Sequence, residues 1–549
     1  MDRREFLKYL FSAFLFGKGR VPLHKGKGEW NLREHFQEFI ESPDYIFPWP
    51  GEFNYGERVV LLRRMDRIGS RFRKYPFGAM LLDLFLKERV DIKVYYSNSL
   101  RSINRTRPRV FKGVKGTLRV HLPVYDGEEV FYQVLYSRDK KFRPLSPVRR
   151  VKNFLFSPGP IRAYLFADGH VFDDHFDRAI PLREDPVREG WEGRFFHNFF
   201  RKALSDPLWA LKEDDPNTYS LHLRNSFHLA EAFSFVVLRG IQPHLIIKLG
   251  DDVGLDNYRL KRQGLRRGER EKNAKLLWER ERKIWSILTP LIPVYQVIGN
   301  HDGEKGVAKY PAIRWRKITF PQPGELEGGS PLEDFYTLEV GDWLQFIVLN
   351  VVGYTNKPPR TPSHWTLGIP QFKWLEKVLS NSEYPLRFIF FHHVVGGFPS
   401  GPEGEKGKAY GRGPLFTRED YIRHSLNPDK IEQVKITEMA LKHGVKGFFY
   451  GHDHIHFLKK YEDFFAMTVG TTNEVAGENA WEKIEGWEEE YGMAERFDFL
   501  NAPLLEELQI GRERMLINTY CVSIPDSESN LKNLGAGFGE KLSSETIRF

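Results

Sequence analysis

The stretch Pro293-Val-Tyr-Gln-Val-Ile298-Gly299-Asn300-His301-Asp302 runs from a short apolar segment straight into a glycine and three side chains that can bind a metal or move a proton. A brief run rich in Val, Ile and aromatics and bounded by Gly reads as a buried strand. Asn300, His301 and Asp302 then sit just past its carboxyl end. The same arrangement occurs four more times. AYLFA precedes Asp168-Gly169-His170, and HLIIKL precedes Gly250-Asp251. LRFIFF precedes His392-His393, and VKGFFY precedes Gly451-His452-Asp453-His454. Metal-type ligands therefore gather at the carboxyl ends of five successive strands, where open sheets place their active sites. A mixture of Asp, Asn and His suits two divalent or trivalent cations of borderline hardness and not a thiolate site.

The five motifs, in this order, resemble the calcineurin-like metallophosphoesterases, the superfamily of purple acid phosphatases, cyclic-nucleotide phosphodiesterases and many nucleases. The family pattern is D-x-H, G-D-x-x-[D/N/Y], G-N-H-[D/E], H and G-H-x-H. Four of the five are met at their key residues. The second is met in part, because Gly254 stands where the family usually has Asp, Asn or Tyr, so iron–phenolate chemistry at 254 is not supported. The resemblance spans roughly residues 160 to 475, and five ordered motifs are far more specific than one.

The resemblance implies an α/β fold, an αββα layered sandwich, and hydrolysis of phosphate esters by a hydroxide bridging two metal ions, with Mn, Fe or Zn as the expected metals. It implies that Asp251 bridges the pair, that Asp168, His170 and His454 complete one metal site, and that Asn300, His392 and His452 complete the other. His301 is implied as the proton donor to the leaving oxygen, oriented by Asp302. Two metals about 3.5–4 Å apart clamp the attacking and leaving sides of an in-line displacement.

Several residues compete for these roles. Asp173, Asp174 and His175 form a rival D-x-H without an apolar run before it. His392 is preferred to His393 as the first histidine after its strand. Asp252 and Asp256 read as solvated or supporting side chains, and His456 as structural.

A chain of 549 residues implies more than one domain. Its 82 Lys and Arg against 73 Asp and Glu leave a net charge of +9. Spread over so large a surface, that excess favours anionic substrates without making a nucleic-acid footprint, so no stable nucleic-acid partner is expected. A single cysteine, Cys521, excludes an intrachain disulfide and a cysteine metal site, and reads as a small buried apolar residue. No stretch reaches the length of a conventional membrane span.

The first residues carry a different signal. Arg3-Arg4-Glu5-Phe6-Leu7-Lys8 resembles the twin-arginine export motif, and an apolar run from Tyr9 to Gly17 follows it. No small-x-small cleavage site is visible. The expectation is export by the twin-arginine machinery to a periplasmic or extracytoplasmic location, with the amino terminus as a possible membrane tether. An ordinary amphipathic helix in a cytoplasmic enzyme is the alternative.

The expected organisation is a signal or anchor over 1–20, a β-rich, sandwich-like domain over 21–155, the catalytic domain over 156–475 and a carboxyl-terminal extension over 476–549. The pattern predicts a helix over 78–87, a strand near Ile92–Tyr96, and a hairpin through Asp126-Gly127, since alternation of Leu118, Val120 and Leu122 resumes at Val130, Tyr132 and Val134. Helices are predicted near 220–239, 271–287, 371–379 and 431–442, with a further strand over Trp343–Asn350. Long insertions over 172–217 and 396–430 would line the site or stay irregular. The basic run 261–282 is interrupted by glutamates and reads as a solvated helix face.

The function this supports is a metal-dependent phosphoesterase acting on a phosphate-ester substrate. A phosphodiesterase or nuclease using the same metals is the alternative. A catalytically weak metal-binding scaffold is a third reading, opposed by the presence of both Asp251 and His301.

Overall fold

The computed structural model describes residues 55–62, 78–170, 229–253, 271–302, 311–323, 334–351, 367–393, 398–399, 409–412, 418–423, 427–472, 503–522 and 539–549, apart from isolated positions within these ranges. Residues 1–20, the insertion 172–217 with Asp173, Asp174 and His175, and Gly254, Asp256 and 261–270 lie outside them.

Six antiparallel strands make the amino-terminal sheet: β1 (Tyr55–Leu62), β2 (Ala79–Ser97), β3 (Arg109–Pro123), β4 (Glu129–Ser137), β5 (Arg143–Pro144) and β6 (Arg149–Lys152). Residues 78–87, predicted as a helix, are instead the start of β2. Ala79–Leu86 are all buried and paired to β1 on one edge and β3 on the other. An apolar run buried on both faces has no period to distinguish strand from helix. Asp83, the charged residue within the run, is matched by Arg119 across the sheet at 2.6 Å.

The turn at Gly127 (φ 146°) does not close a hairpin either. β3 and β4 both pair with β2. Pro123 lies opposite Ala79 and Phe131 opposite Ser97. Eight residues reach at most about 28 Å, whereas a straight strand from 79 to 97 would run to about 60 Å. β2 must therefore fold back, and it does so at the register shifts between Leu86 and Ile92. One bent strand thus pairs with β3 along one edge and with β1 and then β4 along the other, as bulges commonly allow.

Two six-stranded mixed sheets follow. The first contains β7 (Ile161–Phe166), β8 (Leu245–Lys248) and β9 (Val294–Gln296), parallel to one another. The second contains β10 (Tyr336–Val340), β11 (Leu344–Val348), β12 (Leu386–Phe390), β15 (Gly447–Tyr450), β16 (Phe457–Lys460) and β17 (Phe465–Thr468), in the order β10-β11-β12-β15-β17-β16. A short ribbon of β13 (Phe398–Pro399) and β14 (Ala409–Arg412) lies between β12 and β15 in sequence. The first sheet is completed from residues beyond 476, by β18 (Leu504–Ile510), β19 (Arg514–Cys521) and β20 (Lys541–Arg548), in the order β20-β19-β18-β7-β8-β9. Cys521 is buried on β19.

Period-two alternation sorts the strand residues between layers. Phe346, Phe388, Phe390 and Phe449 join the core between the sheets with Ala163, Leu165 and Ile247. Ile347, Ile389, Phe391 and Phe448 face the other way, onto the helices Gly368–Asn381 and Glu432–Lys442 through Leu375, Leu379, Ile436 and Ala440. Helix, sheet, sheet and helix are the layers expected of a metallophosphoesterase fold.

The amino-terminal sheet joins the same core and is bolted to the amino-terminal ends of β8 and β9. Val59 N donates to Thr289 O at 2.9 Å, Tyr132 Oη to Pro290 O at 2.9 Å, and Gln242 Nε2 to Arg150 O at 3.0 Å. All five motifs lie at the opposite, carboxyl ends of the strands. At the amino end of β8, His244 Nδ1 accepts the Arg162 N–H at 3.0 Å. Burial, then Lys152 and Arg162, lower its pKa to about 3 from 6.5.

The native His244 refuses a proton that the unfolded chain binds, so its contribution is present above pH 6.5 and is lost as pH falls from there toward 3. His244→Gln can still accept from Arg162 but does not titrate. Its Tm should fall less steeply than wild type over that interval in a pH series of thermal melts, and parallel acid limbs would contradict the assignment.

Candidate metal centre

Three of the five motifs, the first, second and last, leave their strands through backbone that ordinary residues avoid. Among the described non-glycine residues, six have positive φ, and five of them are Asp168 (51°), His170 (40°), Asp251 (53°), His452 (73°) and His454 (60°). Such conformations cost of order 1–3 kcal/mol each and persist where surrounding contacts impose them. Those contacts are visible. Asp168 N donates to Gly250 O at 3.1 Å, His170 N to Asp251 O at 2.8 Å, and Gly451 N to His392 O at 3.1 Å. His452 N reaches both Asp168 oxygens at 3.1 and 3.0 Å.

The nine residues singled out in sequence converge. Asp251 Oδ1 accepts His301 N at 2.7 Å, which turns Oδ2 toward the ring nitrogens. Oδ2 then faces His392 Nε2 at 3.0 Å, His170 Nε2 at 3.8 Å and His301 Nε2 at 4.0 Å. On one side, His170 Nε2 and His454 Nε2 lie 3.1 Å apart, with Asp168 Oδ1 3.4 Å from His454. On the other, His392 Nε2 is 3.1 Å from Asn300 Oδ1. His392, rather than His393, reaches Asp251. His393 shares a donor group with His392 and His452, and its ring centroid lies 3.9 Å from that of His452.

This donor set fits cations. His392 Nδ1 lies 2.7 Å from Leu249 O, which places a proton on Nδ1 and a lone pair on Nε2. That lone pair, the Asn300 amide oxygen and the Asp251 carboxylate oxygen then meet within hydrogen-bond distance, three electron-rich atoms that repel unless something positive lies among them. With Nε2 bare, the buried Asp251 Oδ2 has no hydrogen-bond donor, and either a proton on Nε2 or a cation must supply the positive charge. Burial opposes charge on both partners, but the pairing outweighs it. Asp251 is held well below the usual carboxylate range by His392, His301 and His170. His392 is pushed up to about 9, chiefly by Asp251. A metal ion supplies the same positive charge as that proton.

Asp302 does something other than orient His301. Its Oδ2 accepts N–H bonds from Asp251 at 3.0 Å and Gly299 at 2.9 Å, and its Oδ1 accepts from Asp252 at 2.9 Å and Val253 at 3.2 Å. Burial, together with Asp252 and Asp251, pushes its pKa up, and the bond from Gly299 counters. Its four hydrogen bonds are all to backbone, so it clamps the turn after β8 onto the turn after β9. Asp252 is not solvated: it is buried and paired with Lys248 at 3.0 Å, whose ammonium also bonds Glu281 at 2.6 Å beneath the Trp285 ring.

Three supports were not evident in sequence. Thr471 and Thr472 donate to Asp168 O and Ala167 O at 3.0 and 3.1 Å. They follow FAMTVG, a sixth apolar run ending in polar residues, so the rule that found the motifs would have found them. Glu506, on β18, holds His456 Nδ1 and Gly470 N at 3.1 Å each, and no local pattern announces it.

Residues 221–456 match the calcineurin-like phosphoesterase family profile, and the chain carries a calcineurin-like metallophosphoesterase domain. The match starts after Asp168 and His170, which the structure nonetheless places in the cluster. A search of curated proteins by sequence finds no match. Among solved structures, the chain is similar to a purple acid phosphatase, PPD1, from yellow lupin (Lupinus luteus) seeds. The TM-score is 0.52 at 11% identity, covering 90% of this chain and 74% of that one. It is also similar to PhoD, with a TM-score of 0.52 at 10% identity, covering 90% of each chain. The architecture is shared, and the His and Asp cluster suits divalent metal.

The glycines test the geometry. A Cβ on Gly299 would collide with Asp251 N and Oδ1, whereas one on Gly169 meets nothing within 4 Å. Gly299→Ala should abolish stoichiometric metal binding by elemental analysis, and Gly169→Ala should retain it. Equal metal content in the two variants would mean that the turns are not packed as described.

Proposed function

We propose that this protein is a dinuclear, metal-dependent phosphoester hydrolase. The observation that carries the reading is Asp251 Oδ2, one buried oxygen facing Nε2 atoms from the ends of three different strands, as a carboxylate shared by two cations would. Asp168, His170, Asp251 and His454 would hold one ion, and Asp251, Asn300, His392 and His452 the other. Bound there, two divalent cations would neutralise the phosphoryl oxygens and make a water nucleophilic near neutral pH.

The chain's own groups do the rest. His301 is partly exposed at the rim, its backbone N–H holds Asp251, and its ring edge meets His170 at 4.8 Å between centroids. It is placed to donate a proton to a leaving oxygen without joining the shared ligand set. Its orientation comes from its backbone and from His170, not from Asp302.

Purified, reconstituted protein should hold two metal ions per chain, and Asp251→Asn should lower both occupancy and turnover. His301→Asn should keep its metal and lose roughly 10²–10⁴-fold in rate, the usual worth of a positioned general acid, with less loss on substrates having good leaving groups. One ion per chain, or metal loss in the His301 variant, contradicts the assignment. Location is a separate proposal, export through Arg3-Arg4. Replacing both with Lys preserves charge and should trap the protein in the cytoplasm of a host with the twin-arginine translocase. Equal cytoplasmic recovery of both forms would make the enzyme cytoplasmic.

A further inference from the structure

The positive charge of this chain is not evenly spread. Between Asp91 and Asp126 there is no acidic residue, and eight Lys and Arg fall in that interval: Lys93, Arg101, Arg105, Arg107, Arg109, Lys112, Lys115 and Arg119. Three of them are engaged. Arg119 is paired with Asp83 at 2.6 Å, Lys93 lies over the Phe142 ring at 3.8 Å, and Arg109 lies over Tyr96 at 5.9 Å. Arg101, Arg105, Arg107, Lys112 and Lys115 are exposed, and among the described residues none has an ion-pair partner. Several arginines elsewhere do have one: Arg138 with Glu88, Arg143 with Asp139, the half-exposed Arg418 with Glu438 and Arg512 with Asp342.

The surface is preformed. The loop between β2 and β3 is held down by Ile103, buried against Phe131 and Val148. Val110, 48% exposed, stands among the cations. Charges on β3 have an ordinary explanation, since lysines and irregular backbone blunt an edge strand. Lys112 and Lys115, beside Gly113 (φ 59°) and Gly116 (φ 82°), fit it. Arg101, Arg105 and Arg107 do not, because they project from the loop. Substrate steering does not explain the patch either, because it belongs to the sheet bolted to the amino-terminal ends of β8 and β9, away from the metal ligands.

We propose that the 98–108 loop and the first half of β3 dock the protein on an anionic lipid surface, with Val110 entering the headgroup layer and the candidate metal centre facing away. Charge complementarity selects a polyanion, and the exposed apolar Val110 selects lipid. Single-stranded nucleic acid needs exposed aromatic faces for stacking. Here Tyr95, Tyr96 and Phe111 are half-buried against the core, and the exposed apolar side chain is Val110, which cannot stack.

The test is co-sedimentation of the metal-loaded full chain with phosphatidylcholine vesicles, with and without phosphatidylglycerol, across a salt series. Binding should require phosphatidylglycerol and weaken as salt rises. Neutralising Arg105, Arg107 and Lys112 together to Gln should lower the partition coefficient roughly 100-fold, from about fivefold per basic residue at an anionic surface, and leave turnover of a soluble substrate unchanged. Arg138→Gln, at an ion-paired site, should bind like wild type. Binding that ignores lipid charge or the triple substitution assigns attachment to another segment and overturns the proposal. Binding to duplex or single-stranded DNA without vesicle binding overturns it in favour of nucleic acid, and binding to neither overturns it outright.

Discussion

Four backbone N–H groups converge on the buried carboxylate of Asp302, and the candidate centre depends on that clamp. By taking bonds from Gly299, Asp251, Asp252 and Val253, it fixes the turn after β8 against the turn after β9 so closely that neither Gly250 nor Gly299 can carry a side chain. A Cβ on Gly250 would lie 2.7 Å from both Gly299 N and His392 Nδ1. The approach forces Asp251 into the left-handed region. Its Oδ1 then takes the His301 N–H, and Oδ2 is left for the rings. Leaving one of these N–H groups unsatisfied inside the protein would cost about 1–3 kcal/mol, similar in scale to the strain at Asp251. The clamp and the strained ligand therefore balance each other locally.

This is also where sequence reading succeeds and fails. The position of each candidate ligand was legible because strand and motif are contiguous: an apolar run, then a polar group at its end, is a local pattern. The preference for His392 over His393 rests on the same locality, and in the structure it is His392 whose Nε2 lies 3.0 Å from Asp251 Oδ2. The partner of Asp302 was not legible. A carboxylate beside a histidine invites a side-chain pairing, whereas Asp302 is satisfied by backbone, three of its four donors lying about fifty positions away, and backbone amides leave no mark in sequence. The strand at 79–86 was misread for a related reason. Burial on both faces erases the period that distinguishes strand from helix, and only its neighbours β1 and β3 make it a strand.

Charge shows the same contrast between composition and placement. A net +9 over 549 residues is unremarkable as an average. Its local meaning comes from an acid-free interval whose loop is pinned by Ile103, on a sheet that meets the catalytic layers at the pole opposite the ligands. The bent β2 makes this possible, because it lets one antiparallel sheet both seal the amino-terminal ends of β8 and β9 and present a separate exposed hairpin.

The carboxyl-terminal strands complete the argument. β7, whose end carries Asp168 and His170, pairs with β8 on one side and with β18 on the other. Glu506 of β18 also anchors His456 and Gly470, on the two segments that bring His454 and Thr471 to Asp168. The candidate ligands from the first motif and those from the last are thus held by a strand that follows all of them in the chain. Pairings of such long sequence separation form late, because loop closure must be met before they stabilise anything. The donor cluster should become complete only when residues past 504 have docked. Metal binding would then be a property of the finished fold and not of any shorter part, which gives β18 to β20 a role at the candidate centre that their distance from every motif conceals.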